Sequence, residues 1–406
     1  MPALTGIRIV LSVLIVLNHF APLLAGLLPP ALRPPVMLAL TLPGVRVDMF
    51  FMLSGLVINH AHRERWTRPS FAAVSVFWQQ RLARVYPLHL STLLLMGAAA
   101  LGAGALGIDG FDVRHFGWRT LAENLLLAQA WHLQVPLTWN APAWSLSVEW
   151  LAYLTAPFVL VLTWRLRAWA ALSLALVLAV VPAVYETLFP LAGASGAELL
   201  NTPSLRGVSA FYVGALMAVV LARGLRFQVA GRMALAPAAL GLCLLINVLT
   251  HFLHLSVLWC VPAAAAALLG LAWGEDRLSA FVQRPLFMYW SRRSFALYMT
   301  HYLWLTLVRV LLPTSLVESW PWLLKLLIVV TYLAPLLLFA ELAHRLIELP
   351  ARRWLDRRFE PKIVHSALQM GARQEPPRHS PDPCSTLISA SITSQRSARR
   401  GPLDGG

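Results

Sequence analysis

The sequence predicts an all-α polytopic integral membrane protein of about ten transmembrane helices, and three observations carry that prediction. Hydrophobic residues make up 58% of the 406, and charged residues only 13%, against about 25% charged in an average soluble domain. Ten apolar segments meet or approach the roughly 20 residues needed to cross a hydrocarbon core of about 30 Å. The arginines fall mostly in short connections between those segments, where they act as topology signals.

In chain order the segments lie near 8–28, 44–60, 86–107, 144–163, 168–189, 205–222, 234–254, 256–273, 295–313 and 321–346. The second is short and is expected to begin earlier, around Val36. A further stretch, "LAENLLLAQAWHL" at 121–133, is too short and polar to span and reads as an interfacial or re-entrant helix. If it spanned, the count would be eleven and everything after it would invert. With the N-terminus inside, the cytoplasmic connections hold Arg63, Arg65, Arg68, Arg81 and Arg84, then Arg165 and Arg167, then Arg223, Arg226 and Arg232, then Arg277, Arg284, Arg292 and Arg293. The opposite loops hold Arg33, Arg114 and Arg119, with Arg46 and Arg206 at helix ends. That asymmetry predicts ten spans with both termini cytoplasmic.

The apolar N-terminal stretch runs on too long for a separate cleavable signal. After Arg358 the chain turns rich in Pro, Ser and Arg, so a disordered basic cytoplasmic tail is expected over 354–406, following a membrane domain over 1–353. The net charge of +15 would suit nucleic acid, but the placement of the arginines points to the lipid bilayer as partner instead. Cys243, Cys260 and Cys384 have no paired metal-ligand spacing and form no disulfide framework, so no metal is expected. No internal repeat is visible, which disfavours transporter folds built from inverted repeats.

Ionisable groups at membrane depth are expensive and usually line a site or pathway. Arg8 and His19, eleven residues apart on the first helix, share a face about 16 Å apart along the axis. Their structural alternative is an anchor at the inner interface and a polar helix contact. Asp48 sits near the outer end of the second span with Ser54 and Gly55 deeper, and a carboxylate there needs a partner, for which His19 is a candidate. Ser145 and Glu149 share a face at i and i+4, serving either chemistry or a structural hydrogen-bond network. Arg81 and Arg84, at i and i+3, share a face at the cytoplasmic mouth of the third span, where topology anchoring is the alternative. "SRRSFALYMTHYLW" places Arg292 and Arg293 at the same membrane face and carries His301 into the ninth span. "ELAHRLIELPARRW" closes the core with Glu348, Arg352 and Arg353.

The order of these pieces resembles the acyltransferase-3 family of integral membrane O-acyltransferases, which typically acylate cell-surface glycans in bacteria. Arg8 and His19 look like the family's first-helix pair, Gly44 to Gly55 like "GVDxFFxxSG", and Arg81 to Pro87 like "RxxRxxP". "WSLxxE" runs from Trp144 to Glu149 and "RxxxxFxxG" from Arg206 to Gly214. "SYxLYLxH" resembles Ser294 to His301, and "ExPxR" resembles Glu348 to Arg352. Two positions depart from the pattern: Thr5 stands where the family has Asp, and Arg46 replaces a small residue beside Asp48.

The resemblance implies a bacterial inner-membrane, multi-pass enzyme that moves an acyl group, acetyl first, from cytoplasmic acyl-coenzyme A to a hydroxyl of a glycan or glycolipid. His19 would be the general base, oriented by Asp48 or Glu149, and an acyl-histidine intermediate is the mechanistic rival. Arg8, Arg81 and Arg84, with Arg292 or Arg293, would hold the coenzyme A phosphates. Ser145 and His301 would contact substrate. A glycolipid transporter or flippase is the alternative function, and a structural or receptor-like membrane protein a third.

Overall fold

The computed structural model describes residues 1–41, 44–63, 70–107, 116–190, 199–224, 229–274, 276–311, 320–354 and 357–358. The predicted tail from 359 onward, and the loop arginines Arg65, Arg68, Arg114 and Arg226, lie outside the described residues. The molecule is an all-α polytopic membrane protein. Each of the ten predicted segments coincides with a helix, and seven stretches are long and apolar enough to cross a membrane, one of them, Pro30–Ala61, made of two successive helices.

The helices are α1 (Pro2–Gly26), α2 (Arg33–Thr41), α3 (Arg46–Ala61), α4 (Phe71–Ala105), α5 (Trp118–Leu125), α6 (Trp144–Thr163) and α7 (Ala168–Leu188). They continue with α8 (Pro203–Ala222), α9 (Val229–Phe252), α10 (Val261–Trp273), α11 (Arg277–Val282), α12 (Pro285–Ser291), α13 (Ser294–Leu311) and α14 (Trp322–Ala343). The one sheet among the described residues is an antiparallel ribbon of β1 (Gln134–Pro136) and β2 (Leu199–Asn201).

Two expectations are refined. The second span does not run unbroken from Val36: α2 ends at Thr41 and α3 begins at Arg46. The third helix starts fifteen residues before the predicted segment, because Ser70 caps it by accepting the Ala73 N–H. Its 35 residues reach about 52 Å, well beyond one hydrocarbon core. The stretch at 121–133 contains only the eight-residue α5, about 12 Å long and too short to span.

Helix α8 is the centre of the bundle, buried at every residue from Ser209 to Val220, as befits a helix apolar on all sides. Lipid supplies no hydrophobic drive between helices, so close backbone approach over small residues does that work. Gly55 on α3 and Gly214 on α8 provide it reciprocally. A Cβ on Gly55 would overlap the carbonyl oxygen of Phe211, and a Cβ on Gly214 would overlap that of Met52. Toward one end of this seam Asn59 donates to Thr163 Oγ1 (3.2 Å) and to the Ala215 carbonyl (2.8 Å), and accepts from Trp164 Nε1 (2.9 Å), fastening α3, α6 and α8 together.

Gly55→Ala and Gly214→Ala should each lower the thermal midpoint of the detergent-purified protein and its accumulation in membranes. Gly241→Ala, on α9 with nothing within 4 Å of the added Cβ, should be neutral or slightly stabilising, since Ala exceeds Gly in a helix by about 0.5–1 kcal/mol. Equal tolerance at all three positions would contradict the seam.

Candidate functional site

Five helices enclose a cavity of about 200 Å³ whose lining is apolar except for a concentrated polar set. From α1 come Thr5 and Arg8, from α3 Ser54, and from α4 Arg81 and Arg84. From α6 come Ser145, Glu149 and Tyr153, and from α13 Ser294 and Tyr298. Local sequence explains the presentation. Ser145, Glu149 and Tyr153 recur every four residues and form one stripe of α6, while Arg81 and Arg84 are neighbours on one face of α4. Pro87 lies three residues past Arg84 inside the same helix and leaves the Ala83 carbonyl without its helical donor.

Glu149 Oε1 accepts hydrogen bonds from Ser54 Oγ (2.8 Å) and from the Tyr153 hydroxyl, and those two hydroxyls lie 3.0 Å apart. Arg8 is in electrostatic range of Glu149, Glu348 and Arg84. Neither Arg8 nor Arg84 makes a hydrogen bond among the described residues. The guanidinium of Arg81 lies over the Phe77 ring, 5.6 Å from its centroid. Glu348 belongs to a π-helical turn, His344–Glu348, in which His344 Nδ1 stands 2.8 Å from Glu348 Oε2. Such turns interrupt the α-helical ladder and often occur at functional sites. This one packs against α4, adding a second carboxylate near Arg8.

His19 lies about 16 Å beyond Arg8 along α1, outside the lining of the cavity. It meets His301 of α13, with His19 Nδ1 3.1 Å from His301 Nε2 and the ring centroids 4.9 Å apart. The neighbours fix the tautomers. His301 Nδ1 faces the Tyr298 carbonyl, which only accepts, so Nδ1 carries the proton and Nε2 is bare. His19 Nδ1 then faces two acceptors, that Nε2 and the Ile15 carbonyl at 3.1 Å, and must carry its own proton. The basic nitrogen of His19 is therefore Nε2. Cavity and pair are linked through α13: Tyr298, which bonds Ser145 Oγ at 2.8 Å and the Pro142 carbonyl at 2.8 Å, precedes His301 by three residues.

Several expected partnerships are corrected. Asp48 does not bond His19; both its oxygens accept from Arg206, Nε to Oδ1 and Nη2 to Oδ2, each at 2.7 Å, in a bidentate pair between α3 and α8. Arg206 also donates to the Gly44 carbonyl at 2.9 Å. Glu149 spends its carboxylate inside the cavity rather than on the imidazole. Arg292 is exposed and does not line the cavity. Arg293 is turned away, ion-paired to Glu341 and stacked 3.5 Å from the Tyr289 ring centroid. Arg8, Arg81, Arg84, Ser145 and Glu149 are brought together, and His301 joins His19. The roles of Arg206, Tyr153 and Tyr298 were missed. The four-residue spacing from Glu149 would have found Tyr153, and the stranded Asp48 called for an arginine.

Removing one partner of a buried ion pair leaves a charge that costs about 3–5 kcal/mol. Asp48→Asn should therefore reduce folded protein in detergent, as should Arg206→Gln, with the double variant less damaged than either single one by size-exclusion yield. Full accumulation of Asp48→Asn with selective loss of activity would return Asp48 to a catalytic role.

The acyltransferase domain family matches residues 1–340. Acyltransferase MdmB of Streptomyces mycarofaciens is 27% identical over 336 residues, covering 78% of this chain and 83% of that protein. No solved structure matches. An apolar bundle with arginines and carboxylates concentrated in one cavity and a histidine pair beyond it is thus the core of a membrane acyltransferase, and the chain belongs to the acyltransferase-3 family.

Proposed function

We propose that this acyltransferase transfers an acyl group, acetyl first, from cytoplasmic acyl-coenzyme A to a hydroxyl of a cell-surface or exported glycan or glycolipid, as a multi-pass protein of the bacterial inner membrane with Arg81 and Arg84 at its cytoplasmic mouth. The observation that carries the reading is the division of charge along α1 and α13. Arg8, Arg81 and Arg84 share a cavity with Glu149, and Glu348 lies near Arg8; Arg8 and Arg84 make no hydrogen bond among the described residues, which suits them to phosphate oxygens. One turn of α13 beyond Tyr298 stands the His19–His301 pair. A symmetric translocation path gives no reason for this arrangement.

In this mechanism the arginines hold the donor phosphates, and the pantetheine arm follows the cavity past Ser145 and Tyr298 so that the thioester reaches His19. His19 Nε2 takes the proton of the acceptor hydroxyl as its oxygen attacks the thioester carbonyl. The carbon–sulfur bond breaks, an ester forms, and the coenzyme A thiolate leaves and recovers the proton from His19. His301 acts as the positioning residue assigned above to Asp48 or Glu149: its bare Nε2 and the Ile15 carbonyl hold Nδ1–H and support the imidazolium as it forms.

The two halves of the site are separable. His19→Ala should keep coenzyme A binding and lose at least about a hundredfold in transfer, since general-base catalysis contributes about 10²–10⁴-fold. Arg81→Gln with Arg84→Gln should weaken coenzyme A binding about tenfold or more, as charged hydrogen bonds are worth about 1.5–3 kcal/mol each. Calorimetry with coenzyme A and mass spectrometry of acylated glycan check both. Near-normal transfer by His19→Ala at matched expression, or unchanged coenzyme A affinity in the arginine variant, would remove the respective role.

A further inference from the structure

Four non-glycine residues among those described have positive φ: Leu127 (53°), Trp139 (53°), Thr202 (50°) and His254 (52°). Bulky residues rarely occupy this region, and where they do the surrounding structure enforces a strained backbone. Three of the four serve one segment. Leu127 and Trp139 bracket the chain between α5 and α6, and Thr202 fastens it, its N–H donating to the Leu133 carbonyl directly after β2 pairs with β1. Trp139 is held in place by Nε1 donating to Thr120 Oγ1 at 3.1 Å.

Beside residues 131–139 of this segment, four polar atoms are buried without a hydrogen-bond partner among the described residues: His89 Nδ1, Asn124 Oδ1, Gln129 Oε1 and Asn140 Oδ1. Their residues are 0%, 0%, 6% and 1% exposed. Chemistry fixes what they are. The amide nitrogens of Asn124, Gln129 and Asn140 donate to the carbonyls of Thr120 (2.8 Å), Ala143 (3.0 Å) and Met299 (3.1 Å), so each unpaired atom is the amide oxygen. His89 Nε2 faces the Asn124 carbonyl at 2.9 Å and carries the proton, which leaves Nδ1 bare. All four are acceptors, and buried acceptors without donors are costly. Asn140 reaches α13 at Met299, two residues before His301.

We propose that residues 131–139 form a cover that lifts to admit the acyl acceptor, and that these four atoms, on residues that stay in the bundle, then take hydroxyl hydrogens of a polyhydroxylated molecule whose reacting hydroxyl is presented to His19. The strained backbone and the unsatisfied acceptors raise the energy of the closed state and offset part of the cost of releasing Trp131 Nε1 from the Ser147 carbonyl and the Thr202 N–H from the Leu133 carbonyl, and a hydroxyl-rich ligand supplies the donors that the closed state lacks. The inference deepens the proposed function and rests on its hydroxyl acceptor.

The test locks the cover. Gln134 and Asn201 are directly opposed in the ribbon. Gln134→Cys with Asn201→Cys, in a chain whose Cys243, Cys260 and Cys384 are replaced by Ala, should form a cross-link on oxidation. Acetyl transfer from acetyl-coenzyme A to alkali-deacylated surface glycan should then fall about tenfold or more and recover on reduction, while coenzyme A affinity stays within about twofold. Separately, Asn140→Leu should raise KM for that glycan about tenfold, the loss of one to two hydrogen bonds, at unchanged coenzyme A affinity. Transfer at the parental rate by protein whose cross-link is verified by mass, or an unchanged glycan KM in Asn140→Leu, overturns the cover. A parent chain that binds no coenzyme A contradicts the donor reading instead, so the two failures are distinct.

Discussion

Backbone contact between α3 and α8 at Gly55 and Gly214 determines where the polar chemistry of this bundle can sit. With the two helices in contact, Asp48 on α3 can lie against Arg206 on α8 in a bidentate pair, and Ser54, beside Gly55, faces α6 and donates to Glu149. A charge sealed in an apolar interior must be paired or hydrogen-bonded. The seam pairs Asp48 completely within the scaffold and leaves Glu149 at the edge of the cavity, where its negative charge is one of two near Arg8. A scaffold carboxylate and a cavity carboxylate are separated by this one packing decision.

The cations follow the opposite logic. Arg8 and Arg84 enter the cavity without hydrogen bonds among the described residues. Cations so placed are costly in a protein interior unless an anion visits them. His301 receives a fixed tautomer from its own helix and passes that constraint to His19. In the proposed mechanism donor recognition and proton transfer occupy opposite ends of one path, with Ser145 and Tyr298 between them.

Much of this was legible in the sequence because it depends on local spacing. Helix positions follow from apolar runs, the shared face of Arg8 and His19 from eleven helical steps, and the pairing of Arg81 with Arg84 from i, i+3. Partner choice across helices was not legible, because nothing in the period of α3 says that α8 rather than α1 will lie against Asp48. The same holds for Arg293, which shares a membrane face with the cavity arginines yet is drawn to Glu341 on α14. The cover was invisible for another reason: left-handed turns are usually announced by Gly, Asn or Asp, and here Leu127 and Trp139 adopt them.

The proposed mechanism requires that a single path join the arginine cavity to the histidine pair and that the acyl donor occupy it. A cryo-electron-microscopy structure in lipid nanodiscs with a non-hydrolysable thioether analogue of acetyl-coenzyme A tests it directly. Phosphate density is expected against Arg8, Arg81 and Arg84, with the acyl carbonyl carbon close enough to His19 that a hydroxyl attacking it lies within about 3.2 Å of Nε2. Density that leaves the arginine cavity empty, or that ends the acyl group away from His19 and His301, would contradict it.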